Sequence, residues 1–166
     1  MDRSTAPILT ADVPDHLDQA ASILRQGGIV AVPTETVYGL AADATDPDAI
    51  LKIYQAKGRP RFNPLIAHVE TLERAGQLIT LSPLALQLAD TFWPGPLTIV
   101  APKQNDCPVH DLASAGLETL AVRLPASPAM QGLITRLDCP LVAPSANPSG
   151  QVSPTQAHHV SDGLGD

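Results

Sequence analysis

The sequence predicts an α/β domain: one twisted mixed β-sheet with helices packed around it. Three observations carry that expectation. Short apolar runs of strand length alternate with segments of helical period, the pattern of a layered α/β fold. The 166 residues suit one ordinary domain with a real core. At 44% apolar and 16% charged residues the chain is globular. Aromatics make up only 3%, so the core must be built from Leu, Ile, Val and Ala.

Each element has a local reason. The first dozen residues read as a loose arm. A helix is expected over residues 14–26, with Leu17, Ala20, Ala21 and Leu24 on one face and Gly27-Gly28 as a left-handed stop. Residues 29–32 read as a buried strand closed by Pro33, and residues 40–42 as a second. Asp46-Pro47 is an N-cap followed by proline at the first helical position. The helix it opens runs to about Ala56, with Ile50, Ile53 and Tyr54 inward. Residues 65–69 form the next strand candidate. Ser82-Pro83 opens a helix stopped after Phe92-Trp93 by Pro94-Gly95-Pro96. Residues 97–101 and 120–124 are strand-like, 128–137 helical, and 141–143 a short strand. Residues 104–118 are the best candidate for a long surface loop. The 17 prolines, about twice the usual share of ~5%, punctuate the chain without forming a tract. Neither an internal repeat nor a domain linker is visible.

Charge is unevenly placed. The chain is acidic, with 17 Asp+Glu against 10 Lys+Arg and a net charge of −7. Yet Lys52, Lys57, Arg59 and Arg61 crowd together, with no acidic residue between Asp48 and Glu70. A local cationic loop on an acidic protein suits a small anionic ligand better than a nucleic-acid coat. Two cysteines, Cys107 and Cys139, form no C-x-x-C pair and no zinc-ligand spacing, which implies a reducing compartment. No apolar run approaches the ~20 residues of a membrane span, and the N-terminus carries no apolar signal core. A cytoplasmic location is the expectation.

Neither G-x-x-x-x-G-K-[ST] nor G-x-G-x-x-G after a strand is present. Phosphate binding would therefore fall to side chains: Lys and Arg for charge, Ser and Asn for directed hydrogen bonds. Lys57-Gly58-Arg59 sits at a helix end and just beyond it. Ser145-Ala146-Asn147 follows a strand and is flanked by Pro144 and Pro148. Loops beyond strand ends commonly bind ligands in α/β sheets. Spacing alone favours plainer readings: a solvated helix terminus for the first loop and an ordinary turn for the second.

Five segments, in order, change that balance. Pro33-Thr34-Glu35-Thr36-Val37-Tyr38-Gly39-Leu40, Lys57-Gly58-Arg59-Pro60, Asn63-Pro64-Leu65, Trp93-Pro94-Gly95-Pro96-Leu97-Thr98 and Ala143-Pro144-Ser145-Ala146-Asn147 resemble the YrdC-like threonylcarbamoyl-AMP synthases. The resemblance spans about residues 27–153. It implies a single YrdC-like domain and a reaction in which L-threonine, bicarbonate and ATP give threonylcarbamoyl-AMP and pyrophosphate. The product would serve tRNA threonylcarbamoyladenosine modification through partner proteins, with at most a weak tRNA contact by this chain. Mg²⁺ would arrive with ATP, with no metal held by protein residues alone and no organic cofactor.

The resemblance also assigns residues. Lys57, Arg59, Ser145 and Asn147 become the catalytic set, and with Asn63, Thr119 and Ser153 they contact ATP. Thr36, His68, Arg123 and the backbone around Ala143 would hold L-threonine, with Arg123 on its carboxylate. A bidentate Arg–carboxylate pair makes physical sense. On residue type alone, His68 in an apolar strand is more often a satisfied core or edge residue than a catalyst, and Arg123 is equally a strand-end surface residue. Trp93 reads as packing, and Tyr38 as a pocket wall or a buried turn residue. His158-His159 point apart on a helix and lack a third ligand.

Members of the resembling family continue with a Gly-Ser-Thr-containing strand segment, so the domain over residues 1–166 is expected to lack that C-terminal part. Two alternatives stand beside the main expectation. One is an RNA-binding module, against which the net charge weighs. The other is a carbamoyl-adenylate-forming domain of the hydrogenase-maturation type. Dependence of pyrophosphate release on threonine or on carbamoyl phosphate separates them.

Overall fold

The computed structural model describes residues 6–165. The chain runs α1 (Pro14–Arg25), β1 (Val30–Pro33), β2 (Tyr38–Asp43), α2 (Pro47–Lys57), β3 (Ile66–His68), α3 (Leu72–Leu78), α4 (Pro83–Phe92), β4 (Ile99–Pro102), β5 (Thr119–Arg123), α5 (Pro128–Leu137), β6 (Leu141–Val142) and α6 (Ala157–Leu164). One six-stranded sheet has the order β1-β2-β6-β3-β5-β4. The β3–β5 pair is parallel and the others are antiparallel, so the sheet is mixed.

Alternation along β2 sorts the core into two layers. Leu40 and Ala42 face one apolar cluster, which takes in Ile50 and Ile53 of α2, Ala75 and Leu78 of α3, and Ala67 and Val122 of the central strands. Ala41 faces the other, between Leu24 of α1 and Met130, Leu133 and Ile134 of α5. Caps hold the helix starts where the sequence places them. Asp46 accepts from the amides of Asp48 and Ala49, and Ser82 from Ala85. Ser127 caps α5, and its hydroxyl donates to the Pro33 carbonyl at 2.6 Å, tying α5 to the end of β1.

Several expectations need correction. Two helices escape local reading. α3 is seven residues long with Gly76 inside, and stands on its two buried side chains, Ala75 and Leu78. α6 has no side-chain cap and no buried residue. β3 is shorter than the expected 65–69. Residues 104–118 are irregular and largely exposed, as expected, but Val109, Ala113 and Ser114 are buried, and the Ala113 carbonyl accepts from the Leu65 amide at 2.7 Å. Residues 1–5 of the expected loose arm lie outside the described residues. Beyond them, Leu9 and Ala11 pack against the α1–α5 cluster, so that stretch is held by apolar contact.

Candidate functional site

The site grows from the end of α2. Gly58, at φ 55°, closes the helix in the left-handed region, where glycine avoids the Cβ penalty. That stop leaves Lys57 in the last turn, buried. Its ammonium donates to the backbone carbonyls of Ser145 and Asn147, and its own carbonyl accepts from the Ser149 amide at 2.7 Å. Two segments some 90 residues apart are thus locked together. Burial, and then the neighbouring Arg59 guanidinium, lower the Lys57 pKa to about 8. Asn147 donates its amide nitrogen to the carbonyls of Pro148 and Gln151, at 2.8 and 2.9 Å. Its Oδ1 is buried without a hydrogen-bond partner among the described residues.

Arg59 lies just outside this knot. Its guanidinium reaches the Pro64 carbonyl at 3.2 Å and, more loosely, that of Asn63 at 3.5 Å. The Tyr54 hydroxyl also donates to the Asn63 carbonyl, at 3.1 Å, so residues 59–64 form a curled cationic loop.

Ser145 belongs to a second feature too, a cavity of about 130 Å³ lined by Thr36, His68, Arg123, Ala143, Pro144 and Ser145 among others. Gly39 shapes its floor. A Cβ there would meet the Ala143 side chain at 3.1 Å and the Ala143 carbonyl at 3.3 Å, tight contacts that a side chain would relieve only by pushing Ala143 away from β2. Backbone bonds from Leu40 to the Pro144 carbonyl and from Ala146 to the Tyr38 carbonyl, both 2.7 Å, fix the approach.

Parallel pairing sets His68 level with Arg123. His68 donates from Nδ1 to the Ile66 carbonyl at 3.1 Å. Burial, reinforced by the Arg123 charge, holds its pKa down to about 4, so the imidazole is neutral near pH 7. The sign of the linkage follows. Between about pH 4 and the ordinary histidine value near 6.5, the unfolded chain binds the proton that the folded chain refuses, so stability rises with pH across that window. The ceiling of the effect is on the order of 3 kcal/mol. His68→Asn should flatten this part of a denaturant-midpoint-against-pH curve; an unaltered slope would show that His68 does not carry it.

Arg123 is held from two sides. Thr98 Oγ1 accepts from Nε at 3.0 Å and Nη2 at 2.9 Å, while Nη1 lies 3.5 Å from Thr36 Oγ1 and 3.6 Å from Glu35 Oε1. Glu35 and Thr98 stand inside the quoted sequence segments, but nothing in their type or spacing singled them out.

The other candidates spread along the sheet. Thr119 starts β5, four residues and so about 13 Å from Arg123, and pairs with Pro102 at the end of β4. It is not among the residues that line the Arg123 cavity. Ser153 is half-buried and precedes Pro154, whose carbonyl accepts from the Tyr38 amide at 2.8 Å. A larger cavity, about 400 Å³, lies apart from this chemistry, among Leu9, Leu17, Val30, Val32, Leu133 and Leu164; its mainly apolar wall offers little to a charged ligand. No cluster of three His, Cys, Asp or Glu side chains fit for a metal occurs among the described residues.

The chain is thus a mixed α/β domain in which a cationic loop and a small polar cavity meet at Ser145. The Sua5/YciO/YrdC family, described as telomere recombination, matches residues 22–166, and the chain belongs to it. A threonylcarbamoyl-AMP synthase of Bacillus subtilis (strain 168) is 46% identical over 161 residues, covering 92% of this chain and 46% of that protein. One from Pyrococcus abyssi (strain GE5 / Orsay) is 49% identical over 144 residues, covering 86% and 42%. The crystal structure of P. abyssi Sua5 complexed with L-threonine superposes with a TM-score of 0.86 at 47% identity, over 91% of this chain and 44% of that one. The chain thus spans less than half the length of each.

Proposed function

We propose that this chain forms L-threonylcarbamoyladenylate and pyrophosphate from L-threonine, bicarbonate and ATP, as a nucleotidyltransferase. One observation carries the reading: the Arg123–His68–Thr36 cavity and the Lys57–Asn147 knot share Ser145, so an amino acid in one meets a phosphate chain at the other. The identities with threonylcarbamoyl-AMP synthases and the threonine complex of a relative support it.

The residues suit the chemistry. Arg123 takes the threonine carboxylate, and neutral His68 offers no charge to repel the ammonium. Once the ammonium has lost a proton to solvent, the amine nitrogen bonds to the bicarbonate carbon, giving a carbamate and releasing water. A carbamate oxygen then attacks the α-phosphorus, and pyrophosphate leaves. Such transfers depend on positioning and charge neutralisation. Arg59 and Lys57 supply positive charge near the phosphates, Ser145 and Asn147 direct hydrogen bonds, and Asn63, Thr119 and Ser153 extend toward the nucleoside. Mg²⁺ would come with the triphosphate; the buried, unpartnered Asn147 Oδ1 is the kind of hard oxygen donor it accepts. Partner proteins of tRNA modification would consume the adenylate, in the cytoplasm. Among the described residues no helix is long and apolar enough to cross a membrane.

The test is a mass spectrum of the product formed from ATP, bicarbonate and L-threonine, with pyrophosphate followed in parallel. Threonylcarbamoyl-AMP and threonine-dependent pyrophosphate release are expected. Release that requires carbamoyl phosphate instead, or none at all, would overturn the reading.

A further inference from the structure

We propose that Glu35 and Thr98 are positioning residues that aim the Arg123 guanidinium, and so set the selectivity of the cavity for an α-carboxylate. The inference rests on the threonine reading of this cavity and adds two residues that act on the ligand only through a third.

Arg123 has five N–H donors in one plane. Thr98 Oγ1 accepts Nε–H and one N–H of Nη2, a side-on grip on the fork. One N–H of Nη1 faces Thr36 and Glu35. One N–H remains on each terminal nitrogen, the pair that meets a carboxylate end-on. Thr98 enters from the residue before β4, so the grip is set by the β4–β5 pairing that aligns Ile99 with Val122.

Glu35 works from the opposite side. Its Oε2 accepts from the Ala126 amide at 3.2 Å. Its Oε1 is buried with no hydrogen-bond partner among the described residues and lies 3.6 Å from Arg123 Nη1. A shielded carboxylate oxygen is costly unless a charge compensates it, and the guanidinium is that charge. Both side chains are only about 15% exposed, so solvent screens the pair weakly. Glu35 therefore joins the 34–36 turn, which carries Thr36, to the exit of the strand that carries Arg123.

A competing effect makes the idea testable. Glu35 also subtracts positive potential from the cavity, which by itself would weaken carboxylate binding. If that charge effect dominated, Glu35→Gln would tighten threonine. If aiming dominates, Glu35→Gln loosens it, because an amide holds the guanidinium far less firmly than a carboxylate.

Calorimetry on the full chain, with L-threonine and with ATP separately, decides. Glu35→Gln and Thr98→Val should each weaken threonine about tenfold, the scale of one charge-assisted hydrogen bond. Thr98→Ser restores the hydroxyl and should stay within about twofold of wild type, as should ATP affinity in all three. Unchanged or tighter threonine binding by Glu35→Gln, equal loss for ATP, or a Thr98→Ser variant as weak as Thr98→Val would each overturn the inference. Wild type that takes no L-threonine would instead overturn the reading of the cavity, and the inference with it.

Discussion

Lys57→Met should lower the rate of adenylate formation by about 10²-fold or more, the scale of deleting one preorganised donor. The structure gives the reason a different weight from simple charge loss. Lys57 is a strut as well as a cation: its ammonium holds the carbonyls of Ser145 and Asn147, and methionine keeps the length while removing both donors and charge. Two carbonyls lose a buried partner at about 1–3 kcal/mol each, so the 145–147 segment relaxes at the point where the two halves of the site meet. Rapid-quench measurement of pyrophosphate release is the check, with a thermal melt to separate folding from rate. A variant within threefold of wild type would remove Lys57 from the machinery. The wild type adds a second arm. With its pKa lowered to about 8, Lys57 is charged below that pH and loses its charge above it. The kcat/KM for ATP, which reports the free enzyme, should therefore fall above about pH 8. A flat profile to pH 9.5 would show that the charge is not needed.

Arg123→Lys should weaken L-threonine about 10- to 100-fold while leaving ATP affinity nearly unchanged. Lysine keeps the charge but loses the paired end-on geometry. It also cannot offer Thr98 the two bonds that Nε and Nη2 provide, so the head group is free to wander in the cavity. Charge-assisted hydrogen bonds contribute about 1.5–3 kcal/mol, which sets the expected range. Thr119 lies about 13 Å away along β5, and the Lys57 knot is on other elements, so the nucleotide side should not respond. Titration calorimetry with each ligand reads this directly. Unchanged threonine affinity, or equal loss of both, would make Arg123 structural or assign it to the nucleotide.

Much of the fold was legible because its signals are local. Proline at the first helical position follows Asp46, Ser82 and Ser127, and each of those side chains caps its helix. α3 and α6 were not legible. Seven residues with an internal glycine carry too little propensity to nucleate a helix alone, and α6 lacks a side-chain cap and any fully buried residue, its Val160 and Leu164 only partly covered by the core. Residues 104–118 looked like a surface loop since they have no period. They are mostly exposed, and the burial of Val109, Ala113 and Ser114 within them goes with contacts distant in sequence, such as that to Leu65 just before β3, which no local window contains.

The site divides along the same line. By itself the sequence determined the α/β class, the cationic loop at the end of α2, and the residues that five ordered segments nominate, because these depend on residue type, order and short spacing. Only the tertiary structure decided that Lys57 reaches the carbonyls of Ser145 and Asn147, that His68 stands level with Arg123 and is kept neutral, and that Glu35 and Thr98 grip the guanidinium. Those facts follow from strand register and from burial. Register is a property of pairs of strands, and burial of the packed whole, so neither is written in the neighbourhood of any one residue.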